Sequence, residues 1–125
     1  MSKTNVLICD DSAFARKQMA RAIPDGWDVL LHFAKDGQEA LEMIRAGKGD
    51  VMFLDLSMPR MSGEEVVRWL RAHPDVAPGL RIVVVSAWAG DKRPTLHELG
   101  VDAVLPKPFR KQQLLDLLEE LAQPR

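Results

Sequence analysis

The segment VLICDD at residues 6–11 gives the first indication of the fold, because it joins a short apolar run to two adjacent acids. Four consecutive apolar residues bounded by polar ones are typical of a strand that is buried on both faces. Ser12 follows the acids, and Ala15 and Met19 continue at helical spacing up to Pro24. The segment therefore predicts a strand, a polar turn and a helix, which together begin a parallel strand–helix–strand unit.

The same order of strand and helix recurs four more times along the chain. Ser62 and Glu65 have the spacing of a capping box, and Pro94 suits the first position of a short helix. The predicted strands are residues 6–9, 29–34, 51–54, 82–85 and 103–105. Strict alternation predicts an α/β fold, a doubly wound five-stranded parallel sheet with five helices. Right-handed crossovers leave few allowed topologies, and among these we expect the strand order 2-1-3-4-5 of flavodoxin-like folds.

Composition narrows the classes of protein to which the chain can belong. It has 125 residues, of which 46% are hydrophobic, so we expect residues 1–125 to form a single domain. The formal net charge of -1, with both signs mixed, predicts no nucleic-acid-binding arm. The longest apolar run, residues 82–89, is too short to span a bilayer, and residues 1–5 carry no secretory signal. We therefore expect a cytoplasmic domain that binds neither nucleic acid nor membranes.

Two single residues carry minor predictions. Cys9 is the one cysteine of the chain and lies in an apolar run, so we expect a buried, inert thiol. The last helix carries Leu114, Leu117, Leu118 and Leu121 on one face. Leu115 lies off that face and is predicted to be an exposed contact for a partner.

Polar residues follow four of the five predicted strands. Asp10 and Asp11 end the first strand, Asp55 ends the third, Ser86 ends the fourth, and Lys107 stands close after the fifth. The carboxyl ends of parallel strands meet at one edge of the sheet, where ligands bind at the switch in strand order. We therefore expect these five side chains to lie close together.

This set of side chains points to phosphoryl chemistry at a metal site. Three adjacent carboxylates repel one another, and a hard divalent cation such as Mg²⁺ would neutralise them while keeping open positions for water. A carboxylate in such a site can attack a phosphoryl group. Lys107 can then pair with the phosphate as a point charge, and the Ser86 hydroxyl can donate a hydrogen bond to it.

The chain resembles a response-regulator receiver domain of the chemotaxis-regulator type over nearly all of its length. The resemblance rests on several short pieces in the right order, each weak alone and highly specific together. They are Asp10-Asp11, Asp55 with Met58-Pro59, Met61-Ser62-Gly63, Ser86-Ala87 and Lys107-Pro108-Phe109.

The resemblance implies a role for each matching residue. Asp55 would be the phosphoacceptor of histidine-to-aspartate signalling, with Ser86 as the switch hydroxyl and Lys107 as its charge partner. Asp11, Asp55 and the backbone carbonyl of Ser57 would bind Mg²⁺ directly, and Asp10 mainly through water.

The resemblance also implies partners. The phosphodonor would be a histidine kinase, a histidine phosphotransfer protein or a small phosphodonor. Phosphorylation would switch a surface of helix 4, strand 5 and helix 5 toward an unidentified downstream target, and the domain would remove its own phosphoryl group.

Two positions set this chain apart from the family pattern. The family usually has Tyr or Phe three residues before the lysine, where this chain has Val104. The chain has no tyrosine, so signalling through a rotating aromatic at that position is not expected. Trp88, two residues after Ser86, is a second unusual residue. The resemblance implies that this position borders the site, where a large side chain could screen the phosphoryl group from water or meet a partner.

Other readings of the same residues remain open. Asp10 and Asp11 could serve only as favourable charges at a helix start, and Ser86 could be an ordinary hydroxyl at a strand end. A small aspartate-dependent phosphohydrolase would also place an acid at a strand end. A nucleotide- or flavin-binding domain is disfavoured, because no G-x-x-x-x-G-K-[ST] or G-x-G-x-x-G follows the first strand.

Overall fold

The computed structural model describes residues 3–87 and 91–122. Its strands are β1 (Thr4–Cys9), β2 (Val29–Ala34), β3 (Val51–Leu54), β4 (Arg81–Ser86) and β5 (Ala103–Pro106). Its helices are α1 (Ala13–Ala22), α2 (Gly37–Arg45), α3 (Gly63–Ala72), α4 (Arg93–Glu98) and α5 (Lys111–Leu121). Trp88 lies outside the described residues. Among the described helices, none is long and apolar enough to cross a membrane.

The five strands form one parallel sheet in the order β2-β1-β3-β4-β5, which confirms the predicted topology. The registers align the strand ends: Cys9 is opposite Leu54, and Ser86 is opposite Pro106. All four residues of β3 are buried, as expected for a central strand that is covered on both faces. The residues that follow β1, β3 and β5 are thereby brought to a single edge.

Helices cover both faces of the sheet. On one face, α2, α3 and α4 pack on alternate strand residues that include Leu7, Met52 and Val84. On the other face, α1 and α5 pack on Ile8, Phe53 and other strand residues of opposite parity. Each central strand thus supplies side chains to two separate cores, which explains why its sequence is apolar without alternation.

Polar residues directly before two of the helices cap the helix N-termini. Ser12 accepts a hydrogen bond from the Ala15 backbone and caps α1, as the sequence predicts. Ser62 and Glu65 form the predicted capping box of α3. These caps satisfy backbone N–H groups that would otherwise lack a partner at the edge of the sheet where the strands end.

The prediction for Leu115 is wrong. This side chain is buried and belongs to the core between α5, α1 and the sheet. Because α5 meets α1 as well as the sheet, its apolar stripe is wider than one row, and Leu115 fills the added width. Cys9 is buried as expected, and burial raises the pKa of its thiol, which therefore stays protonated.

Candidate functional site

Three carboxylates converge where β1 and β3 end. Asp10, Asp11 and Asp55 each offer one oxygen, and these oxygens lie within 4.8 Å of one another. Asp10 and Asp55 are only 1% and 7% exposed, whereas Asp11 faces solvent. The set consists of oxygen donors alone, has two buried members and has one open side. It therefore fits a hard divalent cation, and the chain carries an acidic pocket that could bind a metal.

Asp10 is held on both of its carboxylate oxygens. The backbone N–H of Ser12 donates to Oδ1 at 2.9 Å, and the ammonium group of Lys107 donates to Oδ2 at 2.8 Å. Arg16 donates to the Asp10 backbone carbonyl at 2.7 Å, which ties the turn to α1. Asp10 is thus a buried acid whose side chain is held in place and whose charge is paired with that of Lys107.

Asp55 has weaker partners. Its backbone N–H donates to the Cys9 carbonyl at 2.9 Å, which continues the β1–β3 ladder, and Ser57 donates to Oδ1 at 3.4 Å. Burial raises the pKa of Asp55 most, and the nearby charge of Asp10 raises it further. Lys107 and the Ser57 backbone N–H lower this pKa in part, and Asp11 raises it by a smaller amount. The ionised form of Asp55 is therefore held in an unfavourable state, which a cation would relieve.

Lys107 contacts the acids directly, and Ser86 ends the neighbouring strand β4. The Lys107 backbone N–H donates to the Ser86 carbonyl at 3.2 Å, and the Lys107–Pro108 peptide bond is cis. The Lys107 ammonium lies 3.8 Å from an Asp55 oxygen, and Ser86 is 1% exposed. The structure thus brings Lys107 to Asp10 and Asp55, and it places the Ser86 backbone beside that of Lys107.

The start of α3 packs directly against the backbone of Asp55. Gly63 donates to the Leu56 carbonyl at 3.0 Å, and a Cβ at Gly63 would overlap the carbonyl oxygen of Asp55. Ser57 lies in the loop between these points, and its side chain is exposed. The glycine is therefore needed for a close approach between helix and strand end.

Known proteins match both the sequence and the arrangement of its elements. A family model described as "Response regulator receiver domain" matches residues 6–119. The chain belongs to the response regulator receiver domain family. It is thus a phosphoacceptor domain of two-component signalling, as the motifs predicted.

Individual relatives agree with this assignment. The receiver domain is 38% identical over 117 residues to Response regulator MprA of Mycobacterium ulcerans, which covers 93% of this chain and 49% of that protein. It therefore spans about half the length of the curated relatives it matches.

Solved structures show the same fold. The REC domain of AraT, a response regulator from Geobacillus stearothermophilus, has a TM-score of 0.82 at 29% identity, covering 98% of this chain and 94% of that one. The chemotaxis protein CheY4 of Vibrio cholerae has a TM-score of 0.81 at 29% identity, covering 96% and 99%.

Two residues near the site were missed by sequence reasoning. Asp36 is a buried acid that caps α2, and Arg60 lies 3.6 Å from it across the loop that follows β3. The spacing of Asp36 and Glu39 at the start of a helical segment could have identified the cap. No local pattern connects Asp36 to Arg60, because the two belong to different strand-to-helix loops.

Proposed function

We propose that Asp55 is the phosphoacceptor of this receiver domain and that residues 1–125 act as one unit. The observation that carries the proposal is the position of Asp55 directly after β3, where carboxylate oxygens of Asp10 and Asp11 lie within 4.8 Å and the Lys107 ammonium lies 3.8 Å away. A phosphodonor can reach a carboxylate in this place from the open side of the cluster, and the Lys107 ammonium is near enough to pair with the phosphoryl product.

The same geometry suggests how the acids would share a Mg²⁺ ion. Asp11, Asp55 and the Ser57 backbone carbonyl would hold it directly, and Asp10 would contact it through water. The division is supported by Asp10, whose two oxygens already accept hydrogen bonds from Ser12 and Lys107. When bound, the ion would neutralise the acids and the incoming phosphoryl oxygens.

Phosphorylation would then be a single displacement. An Asp55 oxygen attacks the phosphorus of a phosphohistidine, an O–P bond forms as the N–P bond breaks, and the imidazole nitrogen keeps the electron pair and takes up a proton. Lys107 moves from Asp10 toward the new phosphoryl group, and the Ser86 hydroxyl donates to another phosphoryl oxygen. Attack by water at phosphorus later releases phosphate and restores the carboxylate.

The partners of this reaction follow from its chemistry. The donor would be a histidine kinase, a histidine phosphotransfer protein or a small phosphodonor in the cytoplasm. The response would appear on the face of α4, β5 and α5, toward a downstream target. A groove of about 590 Å³ beside Val104, with Arg93 and His97 in its lining, lies between α4 and β5 on this face.

Phosphoryl transfer to Asp55 can be tested by intact mass. Incubation with Mg²⁺ and a small acyl phosphate should add one phosphoryl group to the wild type and none to Asp55→Asn. Asp75→Asn is the matched control, because Asp75 is an exposed acid in the α3–β4 loop at the opposite edge of the sheet. Phosphorylation of Asp55→Asn to the wild-type level would refute the assignment, and steady turnover of phosphate esters would favour a phosphohydrolase.

A further inference from the structure

A buried acid outside the acidic cluster connects two loops at the edge of the sheet where the strands end. Asp36 is 3% exposed and precedes α2. Its Oδ1 accepts the Glu39 backbone N–H at 2.8 Å, and its Oδ2 lies 3.6 Å from Nη1 of Arg60. One carboxylate thus caps a helix and forms an ion pair with the guanidinium group of an arginine in another loop.

The partner of Asp36 lies in the loop that carries Ser57, whose backbone carbonyl is a proposed ligand of the metal. Arg60 is five residues after Asp55 and three after Ser57, and its side chain is 65% exposed. Its backbone has φ of 65°, in the left-handed region that is unfavourable for residues other than glycine. Contacts around Arg60 must therefore hold this conformation.

A second contact runs beside the first. The Gly37 backbone N–H donates to the Met61 carbonyl at 3.1 Å. A Cβ at Gly37 would overlap that carbonyl, so the two loops meet closely. Residues 36–37 and residues 60–61 therefore form a two-point junction between the β2–α2 loop and the β3–α3 loop.

Two backbone hydrogen bonds also form within the β3–α3 loop. Gly63 donates to the Leu56 carbonyl at 3.0 Å, and Met61 donates to the Pro59 carbonyl at 2.7 Å. Ser57 lies between Leu56 and the junction at Arg60. A displacement of Arg60 would therefore move the backbone that leads back to Ser57 and Asp55.

We propose that Asp36 is a positioning residue for the cation site, acting through Arg60 to hold the loop that presents the Ser57 carbonyl and Asp55. The inference rests on the proposed function for the roles of Ser57 and Asp55. Asp36 itself touches neither the cation nor the phosphoryl group.

The test measures Mg²⁺ affinity by titration calorimetry, which requires no phosphorylation. Asp36→Asn keeps a side-chain oxygen for the helix cap and removes the charge, and Arg60→Gln removes the charge of the partner. Each variant should bind Mg²⁺ about twofold to fivefold more weakly, the range that an exposed ion pair allows. The double variant should be no weaker than the single ones, because both changes remove one interaction. Arg60→Lys, which keeps the charge, should stay close to the wild type.

Arg68→Gln is the matched control. Arg68 is another exposed arginine paired with an acid, Glu64, but it lies along α3 away from the junction, so its loss should leave Mg²⁺ affinity unchanged. Melting temperatures of the same samples separate positioning from capping. A lower melting temperature with wild-type Mg²⁺ affinity in Asp36→Asn would overturn the proposal, as would unchanged affinity in both single variants.

The proposal and the proposed function fail in different ways. Weaker Mg²⁺ binding in Asp36→Asn and Arg60→Gln would support positioning even if no donor phosphorylated the wild type. Normal phosphorylation of the wild type together with unchanged affinity in the variants would leave the proposed function standing and remove the role of Asp36.

Discussion

Lys107 lies closer to Asp10 than to Asp55. Its ammonium nitrogen lies 2.8 Å from an Asp10 oxygen and 3.8 Å from an Asp55 oxygen. In the unphosphorylated protein the lysine therefore neutralises the most buried acid of the cluster and stands next to the proposed phosphoacceptor. It also places a positive charge beside any cation that the acids bind.

That charge should weaken Mg²⁺ binding. Lys107→Gln removes a like charge from the neighbourhood of the cation. We expect about threefold to tenfold tighter Mg²⁺ binding by titration calorimetry, because two unit charges about 4 Å apart interact by about 1 kcal/mol when water screens them. Lys111→Gln, an exposed lysine on α5, is the control and should change little. Equal or weaker binding in Lys107→Gln would show that the lysine charge does not act on the cation site.

Asp55 should destabilise the metal-free fold at neutral pH. Its pKa is raised in the folded protein, mainly by burial, so the ionised carboxylate opposes folding in full once the pH exceeds the raised pKa. The penalty shrinks as the pH falls toward the usual value and is absent below it, because the group is then neutral in both states. Asp55→Asn, in the presence of a chelator, should therefore raise the melting temperature at pH 7 and lose this advantage in acid.

Calorimetric or spectroscopic melting over a pH series measures this effect. Asp75→Asn is again the control, and Mg²⁺ should raise the melting temperature of the wild type more than that of Asp55→Asn. A lower melting temperature for Asp55→Asn at neutral pH without metal would contradict the electrostatic account.

Gly63 should be needed for both stability and reactivity. In Gly63→Ala the new Cβ would overlap the Asp55 carbonyl and crowd Leu56, and backbone atoms cannot give way cheaply. We expect a loss of about 1–3 kcal/mol in the free energy of unfolding. Phosphorylation by a small donor should also slow, because Asp55 must shift.

Gly79→Ala serves as the comparison for Gly63→Ala in urea unfolding and mass-detected phosphorylation. A Cβ at Gly79 would meet open space, so this change should stay within about 0.5 kcal/mol of the wild type. If both alanine variants behaved like the wild type, the close approach of α3 to Asp55 would not constrain the site.

Leu115 should behave as a core residue. Leu115→Ala removes a side chain that is 7% exposed and packs between α5, α1 and the sheet, so we expect a loss of about 2–4 kcal/mol in urea unfolding. Leu30→Ala, at a leucine that is 47% exposed on β2, should cost far less. Equal small losses at both positions would restore the prediction of an exposed contact.

Much of the fold could be predicted from local patterns. Strands β2 and β3 have the bounds that their apolar runs predicted, since a run flanked by turn residues leaves little choice of limits. The capping box of Ser62 and Glu65 was equally local. Alternation of strands and helices then left few topologies, so the gathering of Asp10, Asp55 and Lys107 followed from the sequence alone.

Contacts between distant segments could not be predicted from local patterns. Leu115 is buried because α1 lies against α5, Asp36 meets Arg60 because two loops touch, and Lys107 lies nearer to Asp10 than to Asp55. Residue spacing reports which side chains share a face of one helix or strand. The distances between side chains on different elements depend instead on how those elements pack, and no spacing along the chain encodes them.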